Sequence, residues 1–289
     1  MAAPSASWRR NEESLFIYQT LLKNIYLVSL LLISETMIYK YPENFARFYD
    51  QIYHNVRDSV DSEYFLKEIS STKGKILEVG VGTGRLFLNA LNRGADIYGL
   101  DISESMLNVL KKKLTKEQCN RISLQNITDF NFDFKFDLII APFRVIMHLL
   151  EKEEQLKAIN NVYDHLNENG RFIFDTFVPD LKYLIKGFDN YTDFEGEYEK
   201  GKKVKRVVSS FPDLINQIIK VKFHLEWDED DKVKSEDWTL PLRFFFRYEL
   251  EHLIERSNFE EYKISGDYKG NVLNQESKEF IVICKKNNK

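Results

Sequence analysis

The chain has 289 residues, 43% of them hydrophobic and 30% charged, with a net charge of -4 and a pI of about 5.9. That apolar content supports a sizeable core, and the mild acidity disfavours a nucleic-acid-binding surface. Cys119 and Cys284 are the two cysteines, and they form neither a C-x-x-C pair nor a zinc pattern. They read as free thiols of a reducing, cytoplasmic compartment.

Ile25 to Ile33 is apolar throughout except at Ser29, with Arg9 and Arg10 upstream. The run is too short to span a bilayer, and Ser34-Glu35-Thr36 offers no convincing cleavage site. We read it as part of an extension that packs as an amphipathic helix, with no stable membrane insertion. Met37 offers an alternative start, which would make residues 1–36 an upstream extension. Residues 43–70 predict one or two helices, because Phe45, Phe48, Tyr49, Ile52 and Tyr53 recur at helical spacing.

From residue 74 to 178, apolar runs alternate with helical patterns. The predicted strands are Lys75–Val79, Asp96–Asp101, Ile122–Asn126, Phe136–Ala141 and Arg171–Asp175. The intervening helices are Arg85–Asn92, Ser103–Lys113 with Ser103 as its cap, and Glu151–Leu166. This alternation predicts a parallel, doubly wound α/β sheet with right-handed crossovers, which binds ligands at the carboxyl ends of its strands. Residues 180–245 break the pattern. Val204–Phe211, Gln217–Trp227 and Val233–Phe246 read as antiparallel strands of a small inserted sheet, one face apolar. Asp228-Glu229-Asp230-Asp231 reads as a solvated hairpin turn. Arg247–Ser257 returns to helix, and Phe259–Gly266 with Glu279–Cys284 reads as a closing antiparallel pair. The division expected is an extension (1–42), a cofactor-binding core (43–178), an inserted lid or substrate region (179–246) and a C-terminal return to the core sheet (247–289).

Residues 76–86, Ile-Leu-Glu-Val-Gly-Val-Gly-Thr-Gly-Arg-Leu, carry the chemistry. A short strand ends in Gly80, Gly82 and Gly84, and a helix follows, so bare backbone can approach a ligand. Seventeen positions after Gly84, the next strand ends in Asp101. A carboxylate there suits the two hydroxyls of a ribose. The spacing is not the dinucleotide G-x-G-x-x-G, since Arg85 stands where the third glycine would fall, and no Gly-Lys-Ser/Thr follows to make a P-loop. Glu78, two residues before the first glycine, suits a ligand with an ammonium group better than a pyrophosphate.

This E-x-G-x-G-x-G segment resembles the first motif of the class I S-adenosylmethionine-dependent methyltransferases. Ile97–Ser103 is similar to their second motif, Asn126–Phe130 to their adenine-side motif, Phe136–Ile140 to their fourth strand and Gly170–Phe174 to their fifth. The resemblance covers roughly residues 45–178 and implies a mostly parallel, seven-stranded, Rossmann-like sheet. It also implies S-adenosyl-L-methionine as cofactor, with S-adenosyl-L-homocysteine as product. Glu78 and Gly80 would lie by the methionine moiety, Gly82 and Gly84 would allow close approach, and Asp101 would hold the ribose. Ile102 and Met106 would lie against adenine, Asp129 would accept from its amino group, and Phe130 would stack nearby. Ala141 would border the cofactor at the end of the fourth strand. Tyr49-Asp50-x-x-Tyr53 is similar to a helix that covers the methionine end in small-molecule methyltransferases.

The loop Ala141–Leu149 resembles that of aminosugar N-methyltransferases, in which a histidine occupies the place of His148 and orients or deprotonates the substrate amine. Arg144 is a second candidate in that loop. The Asn/Asp-Pro-Pro-aromatic tetrad of adenine methyltransferases is not matched, because Ala141 and a lone Pro142 precede Phe143. Tyr53, Asp175, Tyr191, Arg206, Trp238, Arg243 and Tyr248 are candidate acceptor contacts. The expectation is methyl transfer to nitrogen or oxygen of a small molecule by a monomer or homodimer, with no metal and no nucleic acid. The alternatives are a protein or nucleic-acid methyltransferase, or a non-catalytic nucleoside binder of the same fold.

Overall fold

The structure, a computed structural model, describes residues 41–56 and 60–287. Of the extension expected over residues 1–42, residues 1–40 lie outside the described residues. Strands β1 (Ile76–Val79), β2 (Ile97–Asp101), β3 (Ile122–Leu124), β4 (Phe136–Ala141), β5 (Leu166–Phe177), β10 (Glu261–Ser265) and β11 (Glu279–Lys285) form one sheet, in the order β10-β11-β5-β4-β1-β2-β3. Pairing among β1 to β5 is parallel, and β11 runs antiparallel to both β5 and β10. This is the mostly parallel seven-stranded architecture of the class I methyltransferase fold.

Helices cover both faces because the strand residues alternate between two cores. Ile76, Leu138, Ile140 and Ile173 pack with Phe65 and Ile69 of α2 (Val60–Ser71), Leu86 and Phe87 of α3 (Arg85–Asn92), and Leu107 and Leu110 of α4 (Glu104–Lys111). Leu77, Val79, Ile139 and Phe172 face the other way. They meet Ala158, Ile159 and Val162 of α5 (Lys152–Asp164), and Leu250 and Ile254 of α7 (Arg247–Glu255). Every residue of β1 is buried, as expected for a central parallel strand. Glu78 is the one ionisable residue in that strand.

After β5 comes the short helix α6 (Leu181–Lys186), then a separate antiparallel sheet. Its strands are β6 (Phe188–Glu199), β7 (Lys202–Asp213), β8 (Ile218–Glu229) and β9 (Lys232–Arg243), in that order. Three of these strands are legible in the sequence, and β6 is not. The run Phe-Asp-Asn-Tyr-Thr-Asp-Phe-Glu-Gly-Glu-Tyr-Glu lacks clean alternation, and the structure shows why: β6 is an edge strand with shifts in its register against β7. The β8–β9 turn has Asp230 and Asp231 at φ 52° and 55°, as a two-residue type I′ hairpin requires. The acidic run there is not simply solvated. Glu229 takes Arg47 at 2.7 Å and Lys234 at 2.6 Å, and Asp228 accepts from the Lys203 amide at 2.8 Å.

Helix α1 (Glu43–Val56) joins the two sheets and sorts its aromatic stripe. Phe45 packs on Phe223 and Trp238, and Phe48 on Tyr198 and Trp227, all of the inserted sheet. Tyr49 and Tyr53 stack on each other at 4.3 Å instead. On its other side Asp50 accepts from Thr83 Oγ1 at 2.6 Å and pairs with Lys113, whose Nζ also donates to the Thr83 carbonyl at 2.8 Å. The helix is thereby latched to the glycine turn.

Gly84 opens α3 at φ 89°, and a Cβ there would come within 2.4 Å of Leu110 Cδ1. We predict that Gly84→Ala costs about 1–2 kcal/mol from the left-handed backbone alone, before any clash. Urea unfolding should show a lower midpoint; an unchanged midpoint would contradict this account of the turn.

Candidate active site

The β1–α3 turn sets Gly80, Gly82 and Gly84 at φ 70°, 55° and 89°. All three require the left-handed backbone that glycine adopts freely. Their crowding has a source the sequence does not reveal. A Cβ on Gly80 would lie 2.5 Å from Val145 Cγ2, so Gly80 and Gly84 are hemmed in by the protein's own side chains. At Gly82 the nearest atom is the flexible tip of Met106, at 3.3 Å. Gly82 is thus the position of the three where the turn stays open.

The Gly82 amide donates to Asp101 Oδ2 at 2.8 Å, and the Ser103 amide donates to Oδ1 at 2.8 Å. Asp101 clips the tip of β1 to the tip of β2. Each oxygen keeps a second lone pair for a further donor. Asp101 is 9% exposed, and burial pushes its carboxyl up to about 6 against the pull of the Ser103, Gly82 and Ile102 amides. Glu78 is 3% exposed, and its Oε2 is buried with no hydrogen-bond partner. Burial drives its carboxyl up to about 8; Arg85 pulls the other way, and nearby Asp101 adds to the rise. An orphaned carboxylate oxygen beside an open glycine turn fits the ammonium of a methionine moiety.

Beyond this turn a cavity of about 810 Å³ opens between the main sheet and the inserted one. The segment after β4 forms one wall. Phe143 and Arg144 both take left-handed backbone, at φ 60° and 65°, and a short 3-10 turn over Val145–His148 follows. The pair is held from beneath by Asp175, whose Oδ1 accepts from the Arg144 amide at 3.2 Å while Oδ2 accepts from Tyr268 at 2.7 Å. The turn presents His148 to the cavity. No hydrogen bond among the described residues engages its ring. Surrounding protein holds its pKa down to about 4, although part of the ring faces the open cavity. The imidazole is therefore neutral at physiological pH.

The facing wall belongs to the inserted sheet. Arg206 of β7 is 4% exposed and holds Asp193 of β6 through Nε at 3.0 Å and Nη2 at 2.6 Å. Its guanidinium lies over Tyr53 at 4.7 Å and Phe223 at 5.2 Å. Val221, Phe223, Leu240 and Leu242 complete that wall.

The residues singled out in the sequence fall into distinct places. His148, Arg144, Tyr53, Tyr191 and Arg206 line the cavity. Arg144 is already paired with Glu279 at 3.1 Å and lies over Phe177. Tyr49 stands behind Tyr53. Glu78, Gly80, Gly82, Gly84 and Asp101 gather at the strand tips, with Met106 against Gly82 and Ser103 capping α4. Ile102 is partly exposed, Asp129 is exposed, and Ala141 is fully buried.

Phe130 is 1% exposed and packs on His165 and Phe132, so it is core and offers no stacking face to a ligand. Asp175 is fully buried beneath the loop rather than in the cavity wall. Arg243 spends its guanidinium on the Leu150 and Asn216 carbonyls, and so ties the inserted sheet to the core. Trp238 packs on Tyr41, Phe45 and Phe223, while Tyr248 is 66% exposed on α7, beside Arg247.

Tyr41, Asp61, Phe143, Asp193, Tyr268 and Glu279 also line the cavity, without a signal in the sequence that marks them for it. Asp193 is lost with β6. The others come from separate segments whose meeting no local pattern signals. Among the described residues, no His, Cys, Asp or Glu cluster is placed to hold a metal, and no helix is long and apolar enough to cross a membrane.

Residues 76–170 match a family model described as a methyltransferase domain. An uncharacterized methyltransferase of Staphylococcus carnosus is 27% identical over 158 residues, which are 53% of this chain and 73% of that protein. A putative methyltransferase of Bacillus subtilis, YqeM, is 25% identical over 140 residues, 48% of this chain and 55% of that protein. The chain thus spans about half to three quarters of the relatives it matches. An S-adenosylmethionine-dependent methyltransferase of Clostridium acetobutylicum superposes with a TM-score of 0.67 at 19% identity, covering 85% of this chain and 98% of that one. The sugar N-methyltransferase KedS8 of Streptoalloteichus superposes with a TM-score of 0.67 at 18% identity, covering 83% and 93%. At these identities the likeness is one of fold. The domain match, the strand order and the motif positions agree: residues 76–170 are a methyltransferase domain, built on the sheet that solved S-adenosylmethionine-dependent methyltransferases share.

Proposed function

We propose that the protein transfers a methyl group to a nitrogen of a small molecule held in the cavity between the two sheets. The observation that carries this reading is His148: a neutral imidazole, unengaged by other side chains, on the cavity wall after β4. Solved sugar N-methyltransferases of the same fold lend it support. Bound at the strand tips, S-adenosylmethionine supplies a methyl on a sulfonium: the acceptor's lone pair forms the C–N bond while the C–S pair returns to sulfur.

The chain's part is to align and to exclude water. Glu78 Oε2 would take the ammonium and the spare lone pairs of Asp101 the ribose hydroxyls, with Ile102 and Met106 along the adenine and Asp129 at its amino edge. Tyr53, held under Arg206, and Phe143 would close over the methionine end; their rings meet at 5.5 Å. Such positioning is worth roughly 7–11 kcal/mol of barrier when geometry is near ideal. His148 Nδ1 or Nε2 would accept a hydrogen bond from the acceptor N–H and aim the lone pair; with its pKa held near 4 the ring orients the amine, and the proton released after transfer goes to solvent.

Replacing His148 with Ala should lower kcat about 10²-fold and leave S-adenosylhomocysteine affinity nearly unchanged. A labelled-methyl assay against a panel of amines reads the first and calorimetry the second; full turnover would refute the role. Because the ring stays neutral down to about pH 4, the acid limb of the rate profile should follow each acceptor's own amine pKa. A limb fixed near one pH for every acceptor would point back to the protein.

Glu78 gives a separate check on the cofactor site. Its folded pKa lies above the ordinary carboxyl value, so its contribution to stability is complete below about pH 4.5 and lost as pH rises through about 8. Ligand-free protein should lose stability over that window, and Glu78→Gln should flatten the fall, leaving the smaller part due to Asp101. An ammonium set against Oε2 would ionise the carboxyl, so S-adenosylhomocysteine binding at pH 7 should release a proton. Binding enthalpies that do not vary with buffer ionisation enthalpy would contradict that placement.

A further inference from the structure

The walls of the cavity differ in chemistry. Its ionic groups are matched inside the protein: Arg206 with Asp193, Arg144 with Glu279, and Asp61 with Arg85 at 2.6 Å. None is left over to attract a permanently charged acceptor, and breaking a buried pair to bind one is costly. The inserted sheet offers something else. Val221 and Phe223 on β8 pair across to Leu240 and Trp238 on β9, and Leu242 lies two residues on, on the same face. Val221, Phe223, Leu240 and Leu242 all line the cavity and form a continuous apolar panel, while Lys220 and Lys222 point away from it. Val221 and Leu242 remain partly exposed there. Tyr191, also in the lining, is 62% exposed, and Phe188 lies 6.3 Å from it, so the apolar surface continues outward from the cavity.

We infer that the acceptor is an amphipathic amine, with its nitrogen at His148 and a hydrocarbon portion lying along Val221, Leu240 and Leu242 towards Tyr191. This rests on the N-methylation reading and specifies its substrate class. The physical reason is that in a cavity whose charges are already spent, apolar contact is the main source of affinity left. A cavity of about 810 Å³ lies in the upper range for small-molecule sites, with room for more than a short amine head group.

The test uses the full chain saturated with S-adenosylhomocysteine and a series of primary n-alkylamines from ethyl to octyl. Calorimetry should show Kd falling roughly three- to fourfold per added methylene through the middle of the series. Val221→Asp should flatten that slope, and so should the nearly isosteric Val221→Thr, to a lesser degree; the latter keeps the test open should the charged variant not fold. The slope per methylene separates a hydrocarbon site from a general loss of binding, which would weaken every member alike. A flat series in the unmodified protein, no binding by any member, or a slope equal in all three proteins would overturn the inference. A steep slope without methyl transfer to any amine would uphold the hydrocarbon site and sink the N-methylation reading; transfer with a flat slope would do the reverse.

Discussion

The hydrogen bond from the Gly82 amide to Asp101 ties the two central strand tips together, and the site is built outward from it. It holds the glycine turn in left-handed backbone and so places Thr83 where it can reach Asp50. That contact, with Lys113, brings α1 down over the strand tips. Helix α1 then carries Tyr53 to the cavity, and Phe45 and Phe48 to the inserted sheet. Glycine turn, α1 and inserted sheet are thus linked through short contacts rather than through one extended interface.

Charge is treated in two ways around this frame. Toward the acceptor, buried ions come in pairs, and each guanidinium has its carboxylate. At the strand tips Glu78 has no such counterion; Arg85, its nearest cation by effect, is committed to Asp61. Burying an unmatched carboxylate is expensive, and the group answers by holding its proton. A cationic ligand group set against Oε2 would relieve that cost. A strand of four buried residues is otherwise apolar, and Glu78 breaks the local rule at the place where function would require it.

The inserted sheet divides its apolar surface between packing and the cavity. Its apolar face does two jobs. One end packs on α1 through Trp227, Phe223 and Trp238; the other stays open to the cavity through Val221 and Leu242. Arg243 anchors its far edge to the core through the Leu150 carbonyl and braces the β7–β8 turn through that of Asn216, and Arg47 with Glu229 closes the hairpin end. The sheet is therefore fastened at both ends, while its middle faces the cavity.

Local periodicity and turn chemistry in the sequence determine most of the fold. Four buried residues before three alternating glycines, Asp101 at the next strand end, Ser103 as a cap and the two-residue alternation of β8 are local physics and appear as such. The same signals bring out the cofactor motifs, because backbone turns and capping need particular residues at fixed spacing. What the tertiary structure decides is which chemically suitable residues meet. Phe130 goes into the core and Phe143 to the cavity; Asp175, a candidate acceptor contact, supports the loop after β4 from beneath; Asp193 joins Arg206 from a strand without a pattern. These outcomes depend on which face of each element is left uncovered once the sheets and helices have packed, and that is settled by contacts between residues far apart in the chain.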